Sequence, residues 1–127
     1  MKDRIAYSNK LKREGPIRLQ KDSDEQRKFL KNIGKENFIT ITGTYFYDNP
    51  KFEKGMKLKL VKEDNEFDAD AIAVYLNDVK VGYVANSVRT TCYLTSDAKD
   101  IQIQDIVYAE YMFYFAYQYH IAKIIRI

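Results

Sequence analysis

The apolar residues of this 127-residue chain change their period at residue 38. From there they alternate with polar residues, as half-buried strands require, and short alternating runs recur between turn signals. Phe38-Ile39-Thr40-Ile41-Thr42 is rich in β-branched residues and reads as a strand that Gly43 ends or bulges. Met56-Lys57-Leu58-Lys59-Leu60-Val61 alternates cleanly. Ala71-Ile72-Ala73-Val74-Tyr75-Leu76 and Lys80-Val81-Gly82-Tyr83-Val84 face each other across Asn77-Asp78, a hairpin pattern. Residues 106–115 and 119–127 supply two more strands, with a bend at 116–118. Asp48-Asn49-Pro50 is a turn, the acidic stretch 63–70 a loop, and residues 85–94 a short helix capped by Asn86 or Ser87. About six short strands with one or two short helices predict a mainly β barrel of small α+β type.

Residues 1–37 read as an N-terminal extension to a domain spanning 38–127. Gly15-Pro16 is read as a helix breaker, and Ile17 and Leu19 alternate with charges as a short edge strand would. Ser23 and Gln26 have capping-box spacing, Phe29, Leu30 and Ile33 share one helical face, and Gly34 stops the run, so one short helix is predicted at about 24–33. The extension holds 11 Lys and Arg against 6 Asp and Glu, whereas residues 38–127 hold 10 against 12. A basic arm beside a slightly acidic domain suits a polyanionic partner, and equally a solvated tail.

Several classes are excluded. Cys92 is the only cysteine, so neither an intrachain disulfide nor a cysteine metal cluster can form. His120 is the only histidine and sits in an aromatic strand-like run, where a core or sheet-surface role outweighs a catalytic one. Cys92 reads as a small buried apolar residue. No phosphate loop or dinucleotide fingerprint is present. Asp64, Glu66, Asp68 and Asp70 alternate as in a calcium loop, but Ala69 and Tyr75 stand where that loop needs Gly and Glu. No apolar run reaches the roughly 18 residues of a membrane span, and the first residues lack an apolar signal core. A non-catalytic, cytoplasmic binding module without cofactor or metal is expected. Phe67 and Ile72 are assigned to the core.

Three segments then carry a resemblance. Ile41-Thr42-Gly43-Thr44-Tyr45-Phe46-Tyr47 puts an aromatic trio after a strand and a glycine. Asp64-Asn65-Glu66-Phe67-Asp68-Ala69-Asp70-Ala71-Ile72-Ala73-Val74 follows, then Val81-Gly82-Tyr83-Val84. Their order and spacing resemble the HIRAN domain, found fused to Swi/Snf-class helicases and as small stand-alone bacterial and phage proteins. The resemblance implies an OB-like or SH3-like β-barrel that captures the 3′ end of single-stranded DNA. Carried over by position, Tyr45, Phe46 and Tyr47 occupy the base-stacking segment. Asp64, Asn65 and Asp68 occupy the segment that reads the terminal sugar and its hydroxyl, and Tyr83 lies near the path of the strand. Tyr45 departs from the family, many of whose members carry Arg or another polar residue there.

The residue types suit that chemistry. Rings stack on any base, and an ionised Asp68 accepts the proton of a free 3′-hydroxyl while repelling a phosphodiester. Tyr45 brings no charge, so backbone affinity would come from Lys10, Lys12, Arg13, Arg18 and Lys21 of the arm. The expected function is single-stranded DNA end recognition in DNA repair or replication-fork processing, with a helicase, nuclease or other DNA-processing protein as a further partner. The alternative is a protein-interaction module, such as a phage or mobile-element inhibitor of a nucleic-acid enzyme. A metal-dependent nuclease built on the acidic loop is a third, weaker reading, since no nuclease constellation is recognisable.

Overall fold

The computed structural model describes residues 15–103 and 106–126, with helix side chains described from Ser23 onward. The alternating runs form β1 (Phe38–Thr42), β2 (Lys57–Lys62), β3 (Ile72–Leu76), β4 (Val79–Val84), β5 (Ile106–Phe115) and β6 (Tyr119–Ile125). Their one-sided hydrophobicity is satisfied by closure into an antiparallel barrel of order β1-β4-β3-β2-β5-β6, which leaves no long free edge. Ile39, Ile41, Leu58, Leu60, Ile72, Val74, Val81 and Ile124 meet inside it. Each such aliphatic side chain contributes about 1.5–3 kcal/mol by burial.

Two turns use left-handed backbone to reverse the chain tightly. Asn77 and Asp78 (φ 50 and 65) join β3 to β4, residue types that tolerate this region. Ala116 and Tyr117 (φ 54 and 56) join β5 to β6 without that help.

β1 is buried on both faces. Ile39 and Ile41 point into the barrel, whereas Phe38 joins a second core with Leu30, Cys92, Leu94, Phe115 and Ile121. Leu30 comes from α1 (Gly15–Ile33), which is longer than the predicted helix. Pro16 falls in its first turn, where a missing N–H breaks no hydrogen bond, so the Gly-Pro pair opens the helix instead of breaking it. Ile17 and Leu19 are therefore helical, not an edge strand, and Ser23 lies mid-helix, not at a cap. Gly34, at φ 104, closes the helix with its N–H donated to the Leu30 carbonyl at 3.0 Å. The Phe29 ring meets Phe38 and Phe113 edge-on, with centroids 5.7 and 6.2 Å away.

Residues 85–94 form turns, not the expected helix. Their neighbourhood is tied to β1 instead. Ala85 N–H donates to the Thr40 carbonyl (2.8 Å), and Ser96 N–H to that of Phe38 (2.9 Å). The buried Thr40 hydroxyl accepts from Cys92 N–H (3.1 Å) and bonds the Thr95 hydroxyl (2.7 Å). Backbone groups committed to a neighbouring strand cannot also close helical turns. Among the described residues, no helix is long and apolar enough to cross a membrane.

Candidate nucleic-acid interface

The loop between β2 and β3 is held by its own side chains. Asn65 Oδ1 accepts from Phe67 N–H (2.8 Å), and Asp68 Oδ1 accepts from Asp70 N–H (2.9 Å). These are two successive Asx turns, the local bonding that short polar side chains offer in place of a ladder. Glu63 N–H donates to the Ala71 carbonyl at 2.9 Å and pins the loop's ends together. One consequence overturns a sequence expectation. Phe67 is 89% exposed and not in the core, because the two turns on either side direct it away from the barrel. Ile72 is buried as expected.

Asn65 and Asp68 line an open hollow of about 310 Å³ together with Thr42, Tyr83, Asn86, Ser87 and Thr90, over a floor of Ala71 and Val84. Asn86 Nδ2 donates to Asp68 Oδ2 (3.3 Å), while Asn86 Oδ1 accepts from Lys99 N–H (2.8 Å). That second bond fixes which way the amide points. Ser87 and Thr90 share a hydroxyl–hydroxyl bond of 3.0 Å. Among the described residues, Asp68 is the one charged side chain in the lining. A carboxylate has about four lone-pair positions, so those left after Asp70 and Asn86 can take an incoming hydroxyl.

Of the residues singled out from sequence, the hollow thus brings together Asn65, Asp68 and Tyr83. Asp64 and the aromatic trio lie outside its lining. The trio occupies a short 3-10 turn, Thr44–Tyr47, opened by left-handed Gly43 (φ 74) and closed by left-handed Asp48 (φ 61). Tyr45 and Phe46 are 66% and 71% exposed, with ring centroids 3.9 Å apart and planes tilted by 34°. Tyr47 is half-buried. Gly82 lets this turn sit beside the hollow. A Cβ there would fall 2.6 Å from the Thr42 carbonyl oxygen and 3.5 Å from Thr44 Cγ2. The end of β1, and the turn after it, can lie against β4 only because that Cβ is missing.

A polar network bridges turn and hollow. Tyr83 donates its hydroxyl proton to Glu63 Oε1 (2.8 Å), and Lys80 Nζ donates to Glu63 Oε2 (2.7 Å) and also bonds Tyr83 Oη. The same ammonium lies 4.3 Å from the Tyr83 ring centre and 5.9 Å from that of Tyr47. Asn65 Nδ2 adds a bond to Glu63 at 3.3 Å. The hydrogen bond from Lys80 outweighs burial and holds the Glu63 carboxyl below its ordinary pKa. Burial disfavours the charge on Lys80, but Glu63 and Tyr83 together raise its pKa. Lys80's bond favours the Tyr83 phenolate, yet burial and Glu63 keep the phenol protonated to higher pH. Neither Glu63 nor Lys80 stood out in the sequence. Their signal lay in strand register, which alternation alone does not supply.

Other chemistry-bearing groups serve the barrel. His120 Nδ1 is 2.8 Å from Tyr111 Oη, and Phe52 stacks on Tyr111 with centroids 4.8 Å apart. Burial lowers the His120 pKa and raises that of Tyr111 to about 12. Cys92 is fully buried, and burial pushes its thiol up, away from nucleophile chemistry. A further hollow of about 700 Å³ lies around Ile101, Ile103, Val107 and Ile124, and its lining includes none of the candidate residues named above. Its lining mixes those aliphatic residues with Glu36, Lys57, Asp100, Tyr108 and Arg126. Among the described residues no three His, Cys, Asp or Glu side chains are placed to hold a metal ion. Lys10, Lys12 and Arg13 lie outside the described residues, and Arg18 and Lys21 fall on α1, where only the backbone is described.

The HIRAN domain family matches residues 35–118, from just before β1 to the turn between β5 and β6. The chain belongs to the HIRAN domain family. No curated protein and no solved structure matches it. HIRAN domains are a family of DNA-binding modules, which supports nucleic-acid binding by this barrel in general. The matched region holds every barrel-borne candidate residue, from Tyr45 to Tyr83.

Proposed function

We propose that this HIRAN domain is a non-catalytic receptor for the 3′ end of single-stranded DNA, acting where such ends arise in repair or fork processing. One observation carries the reading: the lining of the 310 Å³ hollow holds a single charged side chain, the Asp68 carboxylate, among neutral hydroxyls and amides. A free 3′-hydroxyl donates to that carboxylate. A 3′-phosphate, or a continuing phosphodiester, brings negative charge against it and is repelled. Beside the hollow, Tyr45, Phe46 and Phe67 offer three exposed rings, sequence-tolerant platforms worth about 1–3 kcal/mol per stacked base. The arm residues Lys10, Lys12, Arg13, Arg18 and Lys21 add long-range attraction for the phosphates that follow.

The test is a fluorescence titration of matched oligonucleotides ending in a 3′-hydroxyl or a 3′-phosphate. The wild-type chain binds the hydroxyl end more tightly. Asp68→Asn keeps an acceptor for the Asx turn but removes the charge, and it abolishes the preference. Equal wild-type affinity for both ends refutes the mechanism.

A further inference from the structure

A strand end seated in the hollow carries its last internucleotide phosphate on the 5′ side of the terminal sugar, at the hollow's rim. Among the described residues, the lining of the hollow holds one carboxylate and neutral groups, and the turn Thr44–Tyr47 holds no cation. We propose that Lys80 binds this phosphodiester, and that Glu63 holds the ammonium in place until the strand arrives; the proposal rests on the end-binding reading above.

Lys80 stands between the hollow and the aromatic turn. Its ammonium bonds the hydroxyl of Tyr83, a residue of the hollow's lining, and faces the Tyr47 ring at 5.9 Å. An ammonium has three donors. Glu63 Oε2 takes one at 2.7 Å and Tyr83 Oη another, which leaves a third for a phosphate oxygen. The Lys80 side chain is 24% exposed. Glu63 has a second role. Its Oε1 accepts from Tyr83 and from Asn65, so the carboxylate that aims Lys80 also positions two residues of the hollow. Lys80 supplies the charge that Tyr45 cannot, from β4 instead of from the aromatic turn.

The experiment compares a 3′-hydroxyl oligonucleotide with one whose last internucleotide linkage is an uncharged methylphosphonate. The wild-type chain binds the methylphosphonate on the order of tenfold more weakly, the effect of one charge-assisted bond. Lys80→Gln binds both equally and loses about 0.7 from the logarithmic salt slope, one phosphate contact on a single strand. Lys80→Arg keeps the preference. Glu63→Gln removes the charge that aims the ammonium, and the preference for the charged linkage falls part-way towards that of Lys80→Gln. Thermal melts confirm that each variant folds. A preference for the charged linkage that survives in Lys80→Gln, or one left at its wild-type size in Glu63→Gln, overturns the assignment and leaves end recognition standing. A wild-type chain that binds neither oligonucleotide overturns end recognition itself, and this proposal with it.

Discussion

Phe67→Ala separates the two roles a phenylalanine in this loop can have. A buried phenylalanine removes about 150–250 Å² from water, and truncating one in a core costs about 3–5 kcal/mol. Phe67 is 89% exposed, so only about a tenth of that area, on the order of 20 Å², is withdrawn from solvent. At ~25 cal/mol/Å² the loss is about 0.5 kcal/mol. For a domain of this size 1 kcal/mol moves the melting temperature by roughly 4 °C, so the variant melts within about 2 °C of wild type. Affinity for a 3′-hydroxyl oligonucleotide behaves differently. Losing one stacked base at about 1–3 kcal/mol weakens binding between roughly fivefold and more than a hundredfold. The loop itself survives, because the Asx turns use the Asn65 and Asp68 side chains and only the backbone of Phe67. Calorimetry and a fluorescence titration on one preparation decide the matter. A melting point lowered by ten degrees or more, with affinity unchanged, refutes the reasoning.

Gly82→Ala puts a Cβ 2.6 Å from the Thr42 carbonyl oxygen, which is backbone and cannot swing aside, so a loss of about 1–3 kcal/mol is expected, together with weaker oligonucleotide binding as the neighbouring turn shifts. Thermal melts and amide exchange across β1 and β4 report the two effects, and a variant as stable as wild type rules out the close approach. His120 is harder to protonate folded than unfolded, so the stability it contributes is present above its ordinary pKa of 6.5 and is lost as pH falls through the lower folded value. Wild type therefore melts lower at pH near 5.5 than at pH near 7.5, and His120→Asn removes most of that difference. Deleting residues 1–14 lowers oligonucleotide affinity and flattens its salt dependence while the ratio between 3′-hydroxyl and 3′-phosphate ends stays constant. A changed ratio would place part of the end recognition in the arm.

The proposed recognition scheme divides its tasks by position in the fold. Rings sit on a turn and a loop, where exposure costs the core nothing. The Asp68 carboxylate, proposed to read the strand end, is braced by Asn86, itself fixed by Lys99 N–H. Bracing of this kind keeps an acceptor aimed before the ligand arrives, so less ordering entropy is lost on binding. The buried Thr40–Thr95–Cys92 cluster does the same for the segment that carries Asn86, Ser87 and Thr90 by tying it to β1.

Alternation by itself determined the six strands, the Asn77-Asp78 hairpin and the mainly β barrel, because side-chain direction in a strand is a strictly local property. The order of the aromatic, Asn-x-Phe-Asp and Val-Gly-Tyr segments likewise marked out the chain's family and most of its candidate residues. The tertiary structure decided what local chemistry leaves open. Pro16 opens a helix instead of breaking one, since Leu30 and Phe29 of that helix have Phe38 and Phe115 to pack against. The segment at 85–94 stays irregular because β1 claims nearby hydrogen bonds. Phe67 faces solvent because two Asx turns aim it there, although its hydrophobicity alone points inward. Lys80 and Glu63 are 17 residues apart, and only the pairing of β2, β3 and β4 brings them together beside Tyr83. Such juxtapositions depend on register and closure, and no single stretch of the chain contains either.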